Sequence, residues 1–329
     1  MKTVLVTGGA GYIGSHMAAA LHRQGYKVIV ADNLCTGHKE AVKFGELCVG
    51  DVRETSFLDS IFTAHHIDGI IHFAASSLVG ESCLDPLKYY MNNLAGAQML
   101  LEAMRRHGIK NIVFSSTAAV YGEPRKQPIK ENDITLPTNP YGESKLAVER
   151  LLKWCDKAYG IRYVCLRYFN AAGADNLTGI GEDHSPETHL IPLVLQAALG
   201  KSQHIRIFGD DYPTPDGTCL RDYIDVRDLT DAHILALEHL DADRPSDVFN
   251  LGSSTGYSVW QIIDMAQKVT GCMIPSVVAE RRAGDPPVLI ASNKKAKQRL
   301  GWQPRYSLED MILSAWHWHK NYPFGFGEI

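Results

Sequence analysis

Short apolar runs alternate with longer segments of helical spacing along the first half of the chain. The runs at residues 2–7, 27–31, 69–74, 111–115 and 163–169 are rich in valine, isoleucine and other β-forming residues. Runs of this length with few polar positions predict strands that are buried on both faces of a parallel sheet.

The segments between these runs predict helices. Apolar residues recur at helical spacing over residues 12–24, and further helices are predicted over residues 86–107 and 307–319. Another helix is expected to begin at Pro140, because proline suits the first helical position and Asn139 suits the N-cap. Strands that alternate with helices predict an α/β fold with a doubly wound parallel sheet, the Rossmann architecture.

The pattern changes after about Gly173. Glycine, proline, aspartate and threonine interrupt residues 174–192 and 209–218, although apolar anchors still recur there. We therefore expect a Rossmann domain over residues 1–173 and a smaller C-terminal α/β substrate domain over residues 174–329. Short apolar runs predict that the chain returns to the first domain around residues 221–255.

Composition argues against several classes of protein. The chain of 329 residues has a formal net charge of -4 and no strongly basic segment, so we expect neither a nucleic-acid nor a membrane-surface partner. The apolar run at the N-terminus is too short for a signal peptide, and no stretch approaches the length of a membrane span, which predicts a cytoplasmic protein. The cysteines form no C-x-x-C pair, so we expect reduced thiols. The histidines at 65, 66, 317 and 319 have no other metal-ligating residues at suitable spacing, so we expect no metal site.

A glycine-rich turn separates the first predicted strand from the first predicted helix. Gly8, Gly11 and Gly14 follow a G-x-x-G-x-x-G spacing. Such a turn lets backbone N–H groups at a helix N-terminus approach a pyrophosphate. Because the spacing is not the commoner G-x-G-x-x-G, an ordinary tight turn is the alternative when this motif is taken alone.

Two aspartates follow the next predicted strands. Asp32 ends the second strand, where a carboxylate accepts hydrogen bonds from ribose hydroxyls and repels a 2′-phosphate. This position favours NAD over NADP as the cofactor. Asp51 follows a third strand, and it either faces the adenine or caps a helix.

Tyr141 and Lys145 form a Y-x-x-x-K pair on the predicted helix that begins at Pro140. Residues four positions apart share one helical face, so we expect the ammonium to lower the tyrosine pKa and to make Tyr141 a general base. Thr117 lies at the carboxyl edge of the predicted sheet, within hydrogen-bonding reach of a substrate hydroxyl and Tyr141. The pair is also common on ordinary helices, where a solvated surface pair is the alternative.

Together these features resemble the extended short-chain dehydrogenase/reductase family, and the resemblance runs the whole length of the chain. Within that family, the chain closely resembles the UDP-glucose 4-epimerases. The segments that carry this resemblance are His72-Phe73-Ala74-Ala75, Arg167-Tyr168-Phe169-Asn170, Phe208-Gly209-Asp210-Asp211-Tyr212, Asp216-Gly217-Thr218-Cys219-Leu220-Arg221-Asp222-Tyr223-Ile224 and Arg281-Arg282-Ala283-Gly284-Asp285.

The resemblance implies that the chain binds NAD and a UDP-sugar. The implied cofactor residues are Gly8, Gly11, Tyr12, Ile13, Gly14, Asp32, Asn33, Asp51, Val52, Phe73, Ala74, Ala75, Asn92, Ser115, Tyr141, Lys145 and Tyr168. The implied substrate residues are Thr117, Tyr141, Asn170, His189, Leu190, Phe208, Arg221, Arg282, Asp285 and Leu289. Two arginines in this set suit a diphosphate through forked, charge-assisted hydrogen bonds.

The implied reaction interconverts UDP-glucose and UDP-galactose through a 4-keto sugar, with Tyr141, Lys145 and Thr117 as catalytic residues. Tyr141 takes the proton of the 4-hydroxyl, hydride passes to NAD, and hydride then returns to the opposite face of the sugar. The alternatives are a UDP-uronate epimerase, a 4,6-dehydratase and a non-catalytic NAD-binding protein. Ala118 and Ala119 argue against the dehydratase, which needs acidic residues there, and the Tyr-Lys pair argues against a non-catalytic protein.

Three positions refine what the resemblance implies. Ser77 stands where many members have a lysine that contacts the cofactor, and His189 replaces a common asparagine. Leu289 borders the implied sugar pocket, where smaller residues than tyrosine accompany acceptance of N-acetylated sugars, unless Leu289 packs against a neighbour and closes the pocket. The resemblance also implies a homodimer, with the helices at residues 86–107 and 140–159 as candidate interface elements.

Overall fold

The computed structural model describes residues 1–282 and 285–327, so Ala283 and Gly284 of the last resemblance segment lie outside the described residues. The strands are β1 (Thr3–Thr7), β2 (Lys27–Asp32), β3 (Glu46–Val49), β4 (Gly69–His72), β5 (Asn111–Thr117), β6 (Arg162–Tyr168), β7 (Asn170–Ala172), β8 (Ile205–Phe208), β9 (Leu220–Asp225), β10 (Asp247–Leu251), β11 (Gly256–Ser258), β12 (Ser276–Ala279) and β13 (Val288–Leu289). The α-helices are α1 (Tyr12–Arg23), α2 (Thr55–Ala64), α3 (Val79–Leu84), α4 (Pro86–Tyr89), α5 (Gly96–His107), α6 (Pro140–Tyr159), α7 (Leu190–Ala198), α8 (Val226–Asp241), α9 (Val259–Thr270), α10 (Lys294–Leu300) and α11 (Leu308–Asn321).

Seven of these strands form a parallel sheet in the order β10-β6-β5-β4-β1-β2-β3. β1 lies between β2 and β4, with Thr7 beside Ala31 on one side and beside His72 on the other. The chain therefore runs outward from β1 in both directions, and the crevice at the carboxyl ends of β1 and β4 is where open α/β sheets bind ligands. The predicted doubly wound fold is confirmed.

Apolar side chains cover both faces of this sheet. On one face, α1 and α8 contribute Met17 and Leu237. On the other face, α2, α5 and α6 contribute Leu58, Leu100 and Leu152. All five side chains are buried, and each contributes about 1.5–3 kcal/mol of hydrophobic free energy. The nearly continuous apolar runs in the sequence are therefore the strands of a sheet that has helices packed on both faces.

Local sequence signals fix where the longer helices begin. Asn139 caps α6 by accepting a hydrogen bond of 2.9 Å from the Gly142 N–H, and Pro140 occupies the first turn, as predicted. Ser307 and Asp310 form a capping box at the start of α11. These caps set the register of each helix against the sheet.

The second long helix that the sequence predicts is interrupted between α4 and α5. A π-helical segment at Tyr90–Ala95 joins the two without leaving the helical path. Its wider turn brings Asn92 and Asn93 to the loop after β4, where both hydrogen-bond Ser76 at 2.8–3.0 Å. Asn93 also donates to Ser144 Oγ on α6 at 3.0 Å. Segments of this kind recur at functional sites.

The C-terminal part of the chain builds two smaller sheets. β9 pairs with β7, β11 and β13, and β8 pairs with β12. A third apolar cluster joins these strands to α7, α9 and α11. β10 lies in the main sheet whereas β9 lies outside it, and the domain boundary at residue 173 stays a prediction. Among the described residues, no helix combines the length and apolarity that crossing a membrane requires.

Candidate active site

The turn between β1 and α1 is built from close backbone contacts. Gly8 has a φ of +71°, and a Cβ atom there would lie 2.5 Å from the backbone nitrogen of Ala74. A Cβ atom on Gly14 would lie 2.1 Å from the Gly8 carbonyl oxygen. Larger residues at either position would therefore force the turn apart.

The N-terminus of α1 opens at this turn. Gly11 is the N-cap, and in the described part of the chain no side chain caps the helix and no acidic residue lies in its first turn. The N–H groups of the first turn and the positive end of the helix dipole suit a diphosphate. This arrangement fits the pyrophosphate of a dinucleotide.

Asp32 ends β2 beside this turn and is 8% exposed. Its Oδ2 accepts a hydrogen bond of 2.9 Å from Ala10 N, and its Oδ1 accepts one of 2.8 Å from Leu34 N. Burial raises the pKa of the carboxyl, and these two hydrogen bonds act in the opposite direction. Each oxygen keeps a second acceptor position, which is what a ribose diol needs.

Asp51 lies in the loop between β3 and α2. Its carboxylate accepts hydrogen bonds from Arg53 at 2.7–2.9 Å and from Asn33 at 3.0 Å. The hydrogen bonds with Arg53 hold the pKa of Asp51 well below its usual range. The residue at the N-cap of α2 is Glu54, so the alternative that Asp51 caps this helix is wrong.

The other predicted cofactor residues lie near the carboxyl ends of the parallel strands or on the helices that follow them. Phe73 and Ala74 follow β4, and their N–H groups donate to Thr7 O at 2.9 and 3.1 Å. The hydroxyls of Ser115 and Tyr168 share a hydrogen bond between β5 and β6. The remaining positions are Tyr12 and Ile13 on α1, Asn33 after β2, Val52 after β3, Ala75 after β4 and Asn92 on the π-helical segment.

Lys145 is buried against the end of β5. Its Nζ donates a hydrogen bond of 2.9 Å to Ser115 O and lies 4.9 Å from the centre of the Phe114 ring. Burial lowers the pKa of Lys145 to about 7, because the charged form is desolvated.

Tyr141 lies one turn earlier on α6, and its ring meets Tyr89 edge-on at 6.5 Å. Burial raises the pKa of the Tyr141 hydroxyl, and a hydrogen bond with Thr117 acts in the opposite direction. The Y-x-x-x-K spacing predicts that Lys145 lowers this pKa. In the structure, burial is the larger effect on the pKa of Tyr141, and the group that acts to lower this pKa is Thr117 rather than Lys145.

Glu149 is a residue that the sequence argument missed. It lies four positions after Lys145 on the same face of α6, and it accepts hydrogen bonds from Ser116 Oγ at 2.5 Å and Arg167 Nε at 2.9 Å. Arg167 also donates to the Tyr121 hydroxyl at 2.8 Å. All four partners are buried. The spacing 141, 145, 149 could have revealed this face, but the partners come from distant strands.

Four of the predicted substrate residues lie on or beside β9: Asn170, Arg221, Asp285 and Leu289. The Arg221 guanidinium donates to Asp285 at 3.1 Å and to Pro286 O at 2.8 Å. Asn170 donates to Asp222 O at 3.3 Å. Leu289 is paired with Arg221 in the β9–β13 register.

Phe208 and Arg282 lie at the end of β8 and in the segment after β12. The Arg282 guanidinium stacks 4.0 Å from the centre of the Phe208 ring, and its residue is exposed. A stacked cation over an aromatic ring offers a charged, planar surface to a ligand. The structure thus brings these two together, while Arg221 and Asp285 form a separate ion pair.

A family model described as the NAD dependent epimerase/dehydratase family matches residues 4–252 of the chain. The chain belongs to this family. The match begins in β1, and it covers the glycine turn, Asp32, Thr117, Tyr141 and Lys145.

Relatives within the family are similar over nearly the whole chain. The UDP-glucose 4-epimerase of Halalkalibacterium halodurans is 58% identical over 98% of this chain and 97% of its own length. A crystal structure of UDP-glucose 4-epimerase from Brucella ovis in complex with NAD has a TM-score of 0.94 and 47% identity, covering 96% of this chain and 98% of that one. The enzyme from Bifidobacterium longum in complex with NAD+ and UDP has a TM-score of 0.93 and 40% identity, covering 98% and 100%.

Two positions depart from what the family resemblance implies. Ser77 is exposed in the loop between β4 and α3. His189 is the N-cap of α7, immediately before Leu190, and its imidazole lies 2.7 Å from a carboxylate oxygen of Glu182. The imidazole of His189 is therefore held by the carboxylates of Glu182 and Glu187.

Proposed function

We propose that this chain is a UDP-glucose 4-epimerase, which interconverts UDP-glucose and UDP-galactose with NAD as its cofactor. The observation that carries the proposal is the position of Lys145, whose hydrogen bond to Ser115 O holds the Tyr-Lys pair at the carboxyl edge of the sheet. The glycine turn lies at the same edge. The relatives named above, which span almost the same length, support the same reaction.

The residues present fit NAD. The open N-terminus of α1 is proposed to hold the pyrophosphate, and Asp32 the adenosine ribose. Asp51 and Val52 are proposed to border the adenine, and Asn92, Lys145 and Tyr168 the nicotinamide side. When bound, NAD supplies reversible hydride acceptance at C4 of the sugar and a positive charge near Tyr141.

Tyr141 is proposed to take the proton of the sugar 4-hydroxyl and to return it after the sugar has turned over. Its hydroxyl is proposed to carry this proton because it is hydrogen-bonded to Thr117, which ends β5. Lys145 stabilises the phenolate by its charge and remains fixed by Ser115 O. The next residue of β5, Ser116, donates a hydrogen bond to Glu149, and this link is proposed to keep β5 and α6 in register during the cycle.

The nucleotide half of the substrate is proposed to stay anchored while the sugar moves. Arg221 and Arg282 would bind the diphosphate, with Asn170, His189, Leu190, Phe208 and Asp285 around the UDP. Binding energy from this remote part of the substrate holds the 4-keto sugar in place between the two half-reactions. Leu289 is proposed to border the sugar. Its partly buried side chain packs against an apolar cluster of Val120, Tyr121, Ile129 and Leu146.

Incubation of the purified chain with UDP-galactose, followed by separation of the nucleotide sugars, tests the proposal. We expect UDP-glucose to form, and denaturation of the protein to release NAD in an amount approaching one per chain. Release of NADP instead would contradict the role of Asp32. A chain that requires added NAD would point to the loss of a cationic contact at Ser77.

We further propose a cytoplasmic homodimer. Leu84, Leu87, Met91 and Trp154 are largely exposed apolar residues on or between α3, the π-helical segment and α6, and such a surface supports an interface. The described cysteines are free, which suits a reducing compartment. Sedimentation of wild type and Leu87→Lys tests the dimer: we expect a dimer and a shift toward monomer, and a monomeric wild type would contradict it.

A further inference from the structure

A group of side chains that could ligate a metal ion lies between β7 and α7, outside the proposed catalytic residues. Glu182, His184, Glu187 and His189 each offer a ligand atom, and these atoms all lie within 4.8 Å of one another. We propose that these four side chains bind a divalent transition-metal ion of the zinc class. His189 is also among the residues proposed to lie around the UDP, so the inference is tested by metal binding alone, without substrate.

The spacing of the ligand atoms fits a tetrahedral site. His189 Nδ1 lies 2.7 Å from Glu182 Oε1. His184 Nδ1 lies 3.3 Å from the same Glu182 oxygen and 3.8 Å from Glu187 Oε2. Tetrahedral metal bonds of about 2.0–2.2 Å place neighbouring ligand atoms about 3.4 Å apart. The observed separations lie on both sides of this value, so an ion needs only small side-chain movements to enter.

Glu182 gives the strongest single indication that a cation belongs here. Its side chain is 5% exposed. Its Oε1 lies 2.7 Å from His189 Nδ1 and 3.3 Å from His184 Nδ1, yet neither contact has hydrogen-bond geometry, and the atom has no other partner among the described residues. His184 Nδ1 is likewise buried without a hydrogen-bond partner among the described residues. Two polar atoms that face each other in this way are costly to bury, and a cation between them would satisfy both.

Glu187 is held in the orientation that a ligand needs. Its Oε1 accepts backbone hydrogen bonds from Thr188 at 2.7 Å and from His189 at 2.8 Å. These contacts fix the carboxylate and turn Oε2 toward His184. Hydrogen bonds that orient a ligand from outside are a regular feature of metal sites.

The ligand types select the class of metal. Two imidazole nitrogens and two carboxylate oxygens suit zinc and its transition-metal neighbours, whereas calcium and magnesium prefer oxygen ligands. With neutral imidazoles, the two carboxylates balance the charge of a divalent ion. The competing arrangement is a metal-free ion-pair cluster in which His189 is protonated.

The surroundings close one side of the site and leave another open. The Tyr12 ring lies edge-on to His184 at 6.2 Å, and its hydroxyl is engaged by Gly173 O at 2.6 Å, so it does not compete for the ion. The His189 side chain is 45% exposed, which leaves a route for a metal ion to enter.

The test titrates the purified full chain with Co²⁺ and then Zn²⁺ after dialysis against a chelator. We expect about one Co²⁺ per chain with the intense visible absorption of tetrahedral coordination, displaced by one equivalent of Zn²⁺. His184→Asn and Glu182→Gln should each weaken Zn²⁺ binding by at least about 100-fold. His66→Asn is the matched control, because that imidazole is 92% exposed and outside the cluster.

Three outcomes would overturn the proposal. They are no stoichiometric uptake, the weak spectrum of octahedral Co²⁺, and an affinity that His184→Asn leaves unchanged. If Glu182→Gln does not fold, His184→Asn alone decides, since its side chain is 28% exposed and the change keeps the site polar.

Discussion

Lys145 Nζ donates a hydrogen bond of 2.9 Å to the carbonyl oxygen of Ser115. This contact ties α6 to the carboxyl end of β5 and buries the ammonium. Burial lowers the pKa of Lys145 to about 7 and raises the pKa of Tyr141. Both shifts disfavour the charged forms of the pair, and the positive charge of a bound nicotinamide would favour the phenolate of Tyr141.

This burial predicts a pH dependence of epimerase activity. Tyr141 accepts a proton only as the phenolate. The value of kcat/KM should therefore fall as the pH falls below the pKa of Tyr141 in the enzyme with NAD bound. Lys145→Met removes a stabilising charge, and the acidic limb of kcat/KM should move to higher pH by about 1–3 units. The measurement is kcat/KM for UDP-galactose over a pH series with both proteins. An acidic limb that does not move would remove Lys145 from this role.

Tyr141→Phe should abolish most of the activity. The change keeps the aromatic ring but removes the hydroxyl that carries the proton, so kcat should fall by at least about 10²–10⁴-fold. Bound NAD should remain, as judged by the nucleotide released on denaturation. Tyr159→Phe, at the exposed end of the same helix, is the control and should retain normal turnover. Comparable turnover in both variants would contradict the assignment.

Local patterns in the sequence predict those strands and helix starts that depend mainly on interactions between neighbouring residues. The apolar runs predict β1, β2, β4, β5 and β6, and Asn139 marks the start of α6, because strand burial and capping depend on neighbouring residues. α8 was not predicted, since Asp228, His233 and His239 on this helix are buried polar residues that hide its apolar pattern. Each makes a hydrogen bond with a backbone group: Asp228 with Arg305 N, His233 with Leu229 O and His239 with Pro245 O.

The candidate site divides in the same way. Its glycine turn and the Tyr-Lys spacing are contiguous in sequence and could be predicted. The ion pair of Glu149 and Arg167 joins a helix to a strand 18 positions away, and the pairing of Arg221 with Asp285 spans 64 positions. Such contacts depend on the assembled fold, so residue spacing alone does not reveal them.

Glu149→Gln should destabilise the protein strongly. It leaves the buried Arg167 guanidinium without its counter-charge, and breaking a buried pair in this way typically costs about 3–5 kcal/mol. The free energy of unfolding in urea is the measurement. Glu143→Gln is the control on the same helix and should change stability by less than about 0.5 kcal/mol. Equal stability of the two variants would show that the ion pair does not hold α6 in place.

Leu289 should set the range of sugars. Leucine is shorter than tyrosine by about four heavy atoms, while an acetamido group adds about three over a hydroxyl, so the wild type should also convert UDP-N-acetylglucosamine. Leu289→Tyr should suppress that conversion and retain UDP-glucose conversion as its internal control. The ratio of the two kcat/KM values is the measurement. A wild type that leaves N-acetylated substrates untouched at high enzyme concentration would mean that Leu289 packs inward and keeps the pocket closed.

In the proposed reaction, C4 of the sugar is oxidised and then reduced again, and the hydrogen that leaves C4 as hydride stays on the bound NAD until it returns. Conversion of UDP-galactose labelled with deuterium at C4 follows this hydride transfer, with the product analysed by mass spectrometry and NMR. We expect UDP-glucose that retains the deuterium at C4, because NAD remains bound through the cycle. Loss of the label to solvent, or no UDP-glucose at all, would contradict the proposed reaction.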